Sequence, residues 1–346
     1  LRILHVLRAP IGGLFRHVCD LVKGQNALGH EVGIVCDLTV GGANAEAALA
    51  KIGALCALGV HRLPITTKPS LSDFSNIRKT KKLAREIKVD VLHGHGAKGG
   101  LYARLAAKSA RLGAFYTPHG GSLHYNWDTP SGAVYLATEI WLRRKTAGLA
   151  FVCDYERRAY EQRVGISTVP INVVHNGLWK EEFHSTPPAA DAADILFVGE
   201  MADIKGVDII LRAIAELRPK FRLTAAMVGD GPKLADLQTL ASELRLESQV
   251  SFKGRLSMAK ALPLGKLFVM ASRNESFPYV VLEAIAADRQ IISSNVGGLR
   301  EALPDHLLYP AGSVSALAKK LQDVLENPHQ YQAIADTLNA KAPKQF

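Results

Sequence analysis

Glu275 and Glu283 stand eight positions apart in "ESFPYVVLE", with Pro278 and an apolar run between them. Two carboxylates at that spacing can accept hydrogen bonds from a polyhydroxylated ligand if both face one site. "LFVMAS" (267–272) reads as a strand, and Pro278 suits the first turn of a helix. Glu275 then falls in the loop and Glu283 one to two turns inside the helix, at ~3.6 residues per turn. The helix start near Ser276–Tyr279 offers amide N–H groups and a partial positive charge, which is chemistry that holds a phosphate. The plainer alternative is a favourable first-turn charge plus an exposed helix carboxylate.

Glycines add to the phosphate case. Gly12-Gly13, Gly120-Gly121, Gly229 with Gly231, and Gly297-Gly298 all stand where a strand is expected to end. Glycine there lets backbone amides approach an anionic group. None of these turns is a Walker loop, and "APIGGLFRH" (9–17) lacks the dinucleotide fingerprint.

These residues need a scaffold. Along the 346 residues, short apolar runs ending in glycine turns alternate with amphipathic stretches. Strands are expected at 1–8, 31–36 and 89–94, then in "AFYTPHG" and "GLAFVC"; "APIGGL" reads as a turn before a helix over 14–28. The pattern restarts with strands at 195–200, 250–254 and 267–272, with "LTAAMVGDGP" (223–232) as a strand into a turn, and "DVLENP" (323–328) precedes a last helix. That alternation predicts parallel α/β sheets with helices on both faces. Polar "NGLWKEEFHSTPPAADAAD" (176–194) contains adjacent Pro187 and Pro188 and reads as the linker. The expected domains are 1–180, a linker at 181–194, and 195–346.

Composition narrows the class. The chain is 48% hydrophobic and 21% charged, as globular proteins are. No apolar run approaches the ~18 residues of a membrane span, and the first residues carry no signal-peptide pattern, so a cytoplasmic location is expected. Four scattered cysteines and the lack of a D-x-D turn predict no metal. Net charge is +10, split as +12 over residues 1–180 and −2 over 181–346. Such an excess invites anionic partners. In "IRKTKKLAREIK" (77–88), Ile77, Leu83 and Ile87 would face inward and the lysines outward. This is either a solvated helix face or a patch for an anionic membrane surface. The absence of interleaved aromatics argues against nucleic acid.

Taken together, the motifs resemble the retaining, nucleotide-sugar-dependent glycosyltransferases of the GT-B fold, the "group 1" family with its E-x7-E motif. Besides "ESFPYVVLE", the resemblance rests on "IGGLFRHVCDLVKGQNALGHEV", "VVHNGL", "FVGEMADIKGVDIILRAIAEL", "MVGDGP" and "NVGGLREAL". It implies two Rossmann-like parallel-sheet domains facing across a cleft, with the acceptor on the N-terminal side and the donor on the C-terminal side. By the same resemblance Glu275 holds the donor sugar, Glu283 the ribose diol, and the backbone of Phe277, Pro278, Tyr279, Val280 and Val281 meets sugar and phosphate. Lys205 neutralises the leaving diphosphate, Gly12 and Gly13 bring amides to it, and Gly254 and Arg255 meet the base. His119 of "TPHGG" lies near the reacting sugar, with His93 and His95 as candidate neighbours. The implied activity is a retaining hexosyl-type transfer from a nucleotide-diphospho-sugar, UDP-linked ahead of GDP-linked. The acceptor would be a glycan or a lipid-linked acceptor in cell-surface polysaccharide synthesis, at the inner membrane face. No cofactor is implied beyond the donor.

Two positions depart from the family pattern. Glu200 replaces an arginine that would clamp diphosphate, leaving Arg16 or Lys98 as substitute cations. Asp288-Arg289-Gln290 replaces a helix-ending glycine motif, which predicts a different turn. Both keep open the alternative of a nucleotide-sugar-binding protein with little or no transferase activity.

Overall fold

The structure is a computed structural model that describes residues 1–110 and 112–346. Its contacts divide the chain into two units, Leu1–His175 and Asn176–Phe346. The first unit runs β1 (Arg2–Val6), α1 (Gly12–Ala27), β2 (Glu31–Asp37), α2 (Gly42–Gly53), β3 (Val60–Leu63), α3 (Ser72–Glu86) and β4 (Val91–His95). It continues with α4 (Gly96–Ala110), β5 (Gly113–Thr117), α5 (Pro130–Arg143), β6 (Gly148–Phe151), α6 (Asp154–Arg163) and β7 (Ile171–Val173).

Its seven strands are all parallel, in the order β3-β2-β1-β4-β5-β6-β7. Alternation along β1 sends Leu4 and Val6 into a core with Leu92, Tyr102 and Ala106, while Val18 and Val22 of α1 pack with Val32 and Ile34 elsewhere. The order reverses between β1 and β4, the point at which open parallel sheets bind ligands outside the strands' carboxyl ends. Ile77 and Leu83 of α3 and Ile87 just after it pack inward, while Lys79, Lys82 and Lys88 are exposed and Lys81 is half-buried.

The second unit runs β8 (Ala193–Val198), α7 (Val207–Leu217), β9 (Ala225–Val228), α8 (Leu234–Glu243), β10 (Val250–Phe252), α9 (Met258–Ala261) and β11 (Gly265–Met270). Then come α10 (Tyr279–Ala286), β12 (Gln290–Ser294), α11 (Leu299–Ala302), β13 (Leu308–Tyr309), α12 (Val314–Glu326) and α13 (Pro328–Gln345). Its six parallel strands lie in the order β10-β9-β8-β11-β12-β13, reversing between β8 and β11. Among the described residues no helix is long and apolar enough to cross a membrane.

Three details differ from the sequence-based expectations. Residues 181–194 are tied to the second unit: Thr186 N–H donates to Ala287 O at 3.1 Å, Ala189 N–H to Pro263 O at 2.9 Å, and the Arg289 guanidinium to Thr186 O. Gly12 and Gly13 are the first residues of α1, not a turn before it. The end of α10 keeps the turn that a glycine would make. Asp288 takes a left-handed φ of 58°, its N–H donates to Ile285 O at 3.0 Å, and Arg289 N–H donates to Ala284 O at 3.0 Å. That pair of bonds is the Schellman arrangement, which needs a left-handed residue whatever its side chain.

Candidate active site

In the second unit the parallel register places the ends of β8 and β11 side by side, with Leu196 opposite Phe268. The loop after β11 is then anchored on two sides. Ser294 Oγ donates to Ser272 O at 2.6 Å, Arg273 N–H donates to Ile204 O at 2.7 Å, and the Arg273 guanidinium forks onto Asp208 at 2.7 and 3.0 Å. These bonds bring Lys205 to Glu275: Lys205 Nζ lies 2.6 Å from Glu275 Oε1, which also accepts from Ser272 Oγ at 2.8 Å. The pair is only partly screened by solvent, at 26% and 13% side-chain exposure. Gly297 permits this loop conformation. At φ 59° a Cβ there would lie 2.2 Å from Glu275 O, so only glycine fits without displacing the loop.

Glu283 is the fifth residue of α10 and is half-buried. Phe277, Tyr279 and Val281 are buried, Pro278 precedes the helix as its N-cap, and Val280 is half-buried. Ligand contact between the two glutamates would therefore fall mainly to the backbone. Asn176 Nδ2 donates to Phe277 O at 2.6 Å, fixing the peptide just ahead of the helix. Gly254 follows β10 and its carbonyl accepts from Gly229 N–H at 2.8 Å; Arg255 is exposed. Glu200 is exposed as well.

In the first unit the histidines gather at the β1/β4 reversal. His5 pairs in register with His93, and His95 with Thr117, so successive strands carry rings to one edge of the sheet. His5 Nε2 lies 2.9 Å from Gln25 Oε1, His5 Nδ1 lies 3.0 Å from His95 Nε2, and His95 Nδ1 lies 3.2 Å from His119 Nε2. His93 Nε2 lies 2.9 Å from Thr117 Oγ1, and His17 of α1 meets the His119 ring edge-on at 4.7 Å between centroids. Burial lowers His5 to about 4, its bond to Gln25 offsetting part of the fall. Burial also drives His93, His95 and His119 well below the usual imidazole range, and neighbouring rings add to it. These rings are neutral at pH 7.

His119 carries a left-handed φ of 52°, strained for a residue with a Cβ. The following residues hold it there. The Glu156 carboxylate accepts from Gly120 N–H and, at 3.1 Å, from Val152 N–H. Ser122 Oγ donates to Glu139 Oε1 at 2.8 Å. Glu139 is buried and also accepts from Tyr116 OH at 3.0 Å and from both Arg104 terminal nitrogens at 2.8 and 3.1 Å. The Lys98 ammonium is held by Asp73 at 2.6 and 2.7 Å. Arg16 lies 3.5 Å from Asp20.

The sequence singled out Lys205, Glu275, Glu283 and His119, but not His5, His17, Gln25, Glu139 or Glu156. The spacing of His17 and Gln25, two steps of four residues on one helix face, was the one available hint.

Residues 11–179 match the family model "Glycosyltransferase Family 4", and residues 192–327 match "Glycosyl transferases group 1". The chain is a glycosyltransferase of the GT-B fold, built from these two domains. Among its relatives, the phosphatidylinositol N-acetylglucosaminyltransferase gpi3 subunit of Schizosaccharomyces pombe is 25% identical over 358 residues, covering 97% of this chain and 74% of the relative. The putative glycosyltransferase EpsD of Bacillus subtilis is 28% identical over 294 residues, covering 77% and 75%. In fold the chain is similar to Anabaena Alr3699/HepE in complex with UDP and glucose, with a TM-score of 0.84 at 20% identity, covering 100% of this chain and 95% of that one.

Proposed function

We propose that this chain is a retaining, hexosyl-type glycosyltransferase that takes a sugar from a UDP-sugar. The observation that carries the proposal is the Lys205–Glu275 ion pair at the β8/β11 reversal, followed by Glu283 on α10. At rest the pair is neutral. A bound diphosphate would draw the Lys205 ammonium to itself and release Glu275 Oε1 to accept from sugar hydroxyls, while Glu283 accepts from the ribose diol. Stabilising the leaving diphosphate is a large electrostatic contribution to such a transfer, and here a lysine supplies it. The anomeric C–O bond to the diphosphate breaks as the acceptor oxygen bonds from the same face. The acceptor proton passes to the departing diphosphate.

The proposed acceptor is a glycan or a lipid-linked acceptor in cell-surface polysaccharide synthesis, met at an anionic membrane face. Two observations support this: the +12 charge of residues 1–180 and the similarity to a relative named as a phosphatidylinositol glycosyltransferase. Sedimentation with anionic vesicles tests the membrane part, and no binding would remove it.

Thermal-shift titration against UDP, GDP, ADP and their sugars tests the donor site, for wild type and Glu283→Ala. A ligand at about 100 times its dissociation constant stabilises a fold by ~2.7 kcal/mol. A UDP response lost in the variant supports the assignment. A response that the variant keeps, or none to any nucleotide, overturns it. Release of UDP from UDP-sugar at turnover above background separates an enzyme from a binding protein.

A further inference from the structure

We propose that His17, His95 and His119 form a binding site for a zinc-class divalent cation in the first unit, built on the same His119 that the family resemblance places near the donor sugar. One ligand atom from each ring lies within 4.8 Å of the others. The ring centroids are separated by 5.6 Å (His17–His95), 4.7 Å (His17–His119) and 5.5 Å (His95–His119). Three imidazoles around a tetrahedral cation with metal–nitrogen bonds of about 2.0–2.1 Å place their centroids about 5 Å apart. The rings are therefore spread as such a cation would spread them. A second trio, His5, His93 and His95, also lies within 4.8 Å, but there the His93 and His95 rings are only 4.0 Å apart and tilted by 36°. That is too close for two ligands of one ion, so the His17 trio is favoured.

The support behind the site points the same way. Ligating histidines usually donate their second N–H to a partner that fixes tautomer and orientation. With Gln25 Oε1 accepting from His5 Nε2–H, His5 Nδ1 is left to accept from His95 Nε2–H. His95 Nδ1 then presents its lone pair beside His119 Nε2. The cation takes the place of the proton that His119 Nε2 gives to that last pair, and that proton moves to His119 Nδ1, so the ring stays neutral. Neutral imidazole is the ligating form. Three imidazoles with nitrogen-only ligation suit zinc or cobalt better than magnesium or calcium, which prefer oxygen.

Equilibrium dialysis of the full chain against Zn²⁺ or Co²⁺ tests the proposal, with the Co²⁺ visible spectrum reporting geometry. Wild type should bind one equivalent, with a tetrahedral Co²⁺ spectrum. His17→Asn and His119→Asn should abolish it, and Gln25→Leu should weaken it about 10- to 100-fold. The surface variant His306→Asn should leave it unchanged. Substoichiometric binding by wild type, or full-affinity binding by His17→Asn and His119→Asn, would overturn the site. If those variants fail to fold, zinc-edge X-ray absorption on wild type decides: three imidazole ligands support the site, and one or none refutes it.

Discussion

Replacing Glu139 with leucine should destabilise the first unit far more than its place on a helix suggests. Its side chain is 4% exposed and that of Arg104 is fully buried, so the variant would leave a guanidinium without counter-charge. Breaking one side of such a pair costs about 3–5 kcal/mol. Arg104→Leu should cost a similar amount, and it also removes the cation stacked 3.9 Å over the Tyr116 ring. The double variant should cost much less than the sum, because apolar packing replaces the pair. What remains is the loss of the acceptor for Tyr116 OH and Ser122 Oγ, at about 1 kcal/mol each. The double-mutant cycle should then show a coupling of about 4 kcal/mol or more. Urea denaturation followed by fluorescence of Trp127 and Trp141, both in the first unit, measures it. Additive single variants, or a loss below about 1 kcal/mol for either one, would refute the reasoning.

The buried histidines predict acid sensitivity. Unfolded His5 takes up a proton near its ordinary 6.5 and the folded ring only near 4, so stability falls as pH drops through that window. For this ring the slope is about 1.4 kcal/mol per pH unit, and His93, His95 and His119 act in the same direction. Urea midpoints that stay level between about pH 7.5 and about pH 5 would contradict this. Asp288→Gly should raise the melting temperature, with a gain of about 0.5–1 kcal/mol from relieving the left-handed backbone. Burial, with Asp336 nearby, raises the Asp288 carboxyl above its usual range, so the gain should shrink in acid as that carboxyl protonates. An unchanged or lower melting temperature at neutral pH refutes it. Gly297→Ala should cost about 1–3 kcal/mol and weaken the UDP-induced thermal shift, since its Cβ would collide with the Glu275 carbonyl. A melt within about 0.5 kcal/mol of wild type would show that the loop adapts freely.

The alternation of apolar runs and glycine turns located most strands, and the carboxylate spacing placed Glu275 in a loop and Glu283 in a helix, as found. The short strands Val60–Leu63 and Leu308–Tyr309 were not legible, because so few residues carry no clear period. Nor was the histidine cluster. His5 and His93 become neighbours only because β1 pairs with β4, a choice made by sheet topology across three intervening βα turns. Arg104 and Glu139 read as ordinary helix charges, since nothing local tells that both faces are buried. The polar stretch 181–194 signals exposure, which a free linker and a hydrogen-bonded surface segment share. Its backbone hydrogen bonds to Ala287 and Pro263 carry no compositional mark.

Each unit is made of one uninterrupted stretch of chain, which has a consequence during synthesis. Once residue 175 has emerged from the ribosome, every strand of the first sheet is present and can pair. The remaining residues to 346 take roughly 9–34 s to translate at ~5–20 residues per second. Parallel strands joined by long crossovers pair slowly, and this interval gives them time to do so without competition from the second sheet. Phe346 O accepts from Leu178 N–H and its ring packs 5.7 Å from Phe277, so the loop ahead of α10 is not complete until residue 346 has been added. A nascent chain arrested before that point should already hold a protease-resistant first unit while its second unit is still open to cleavage.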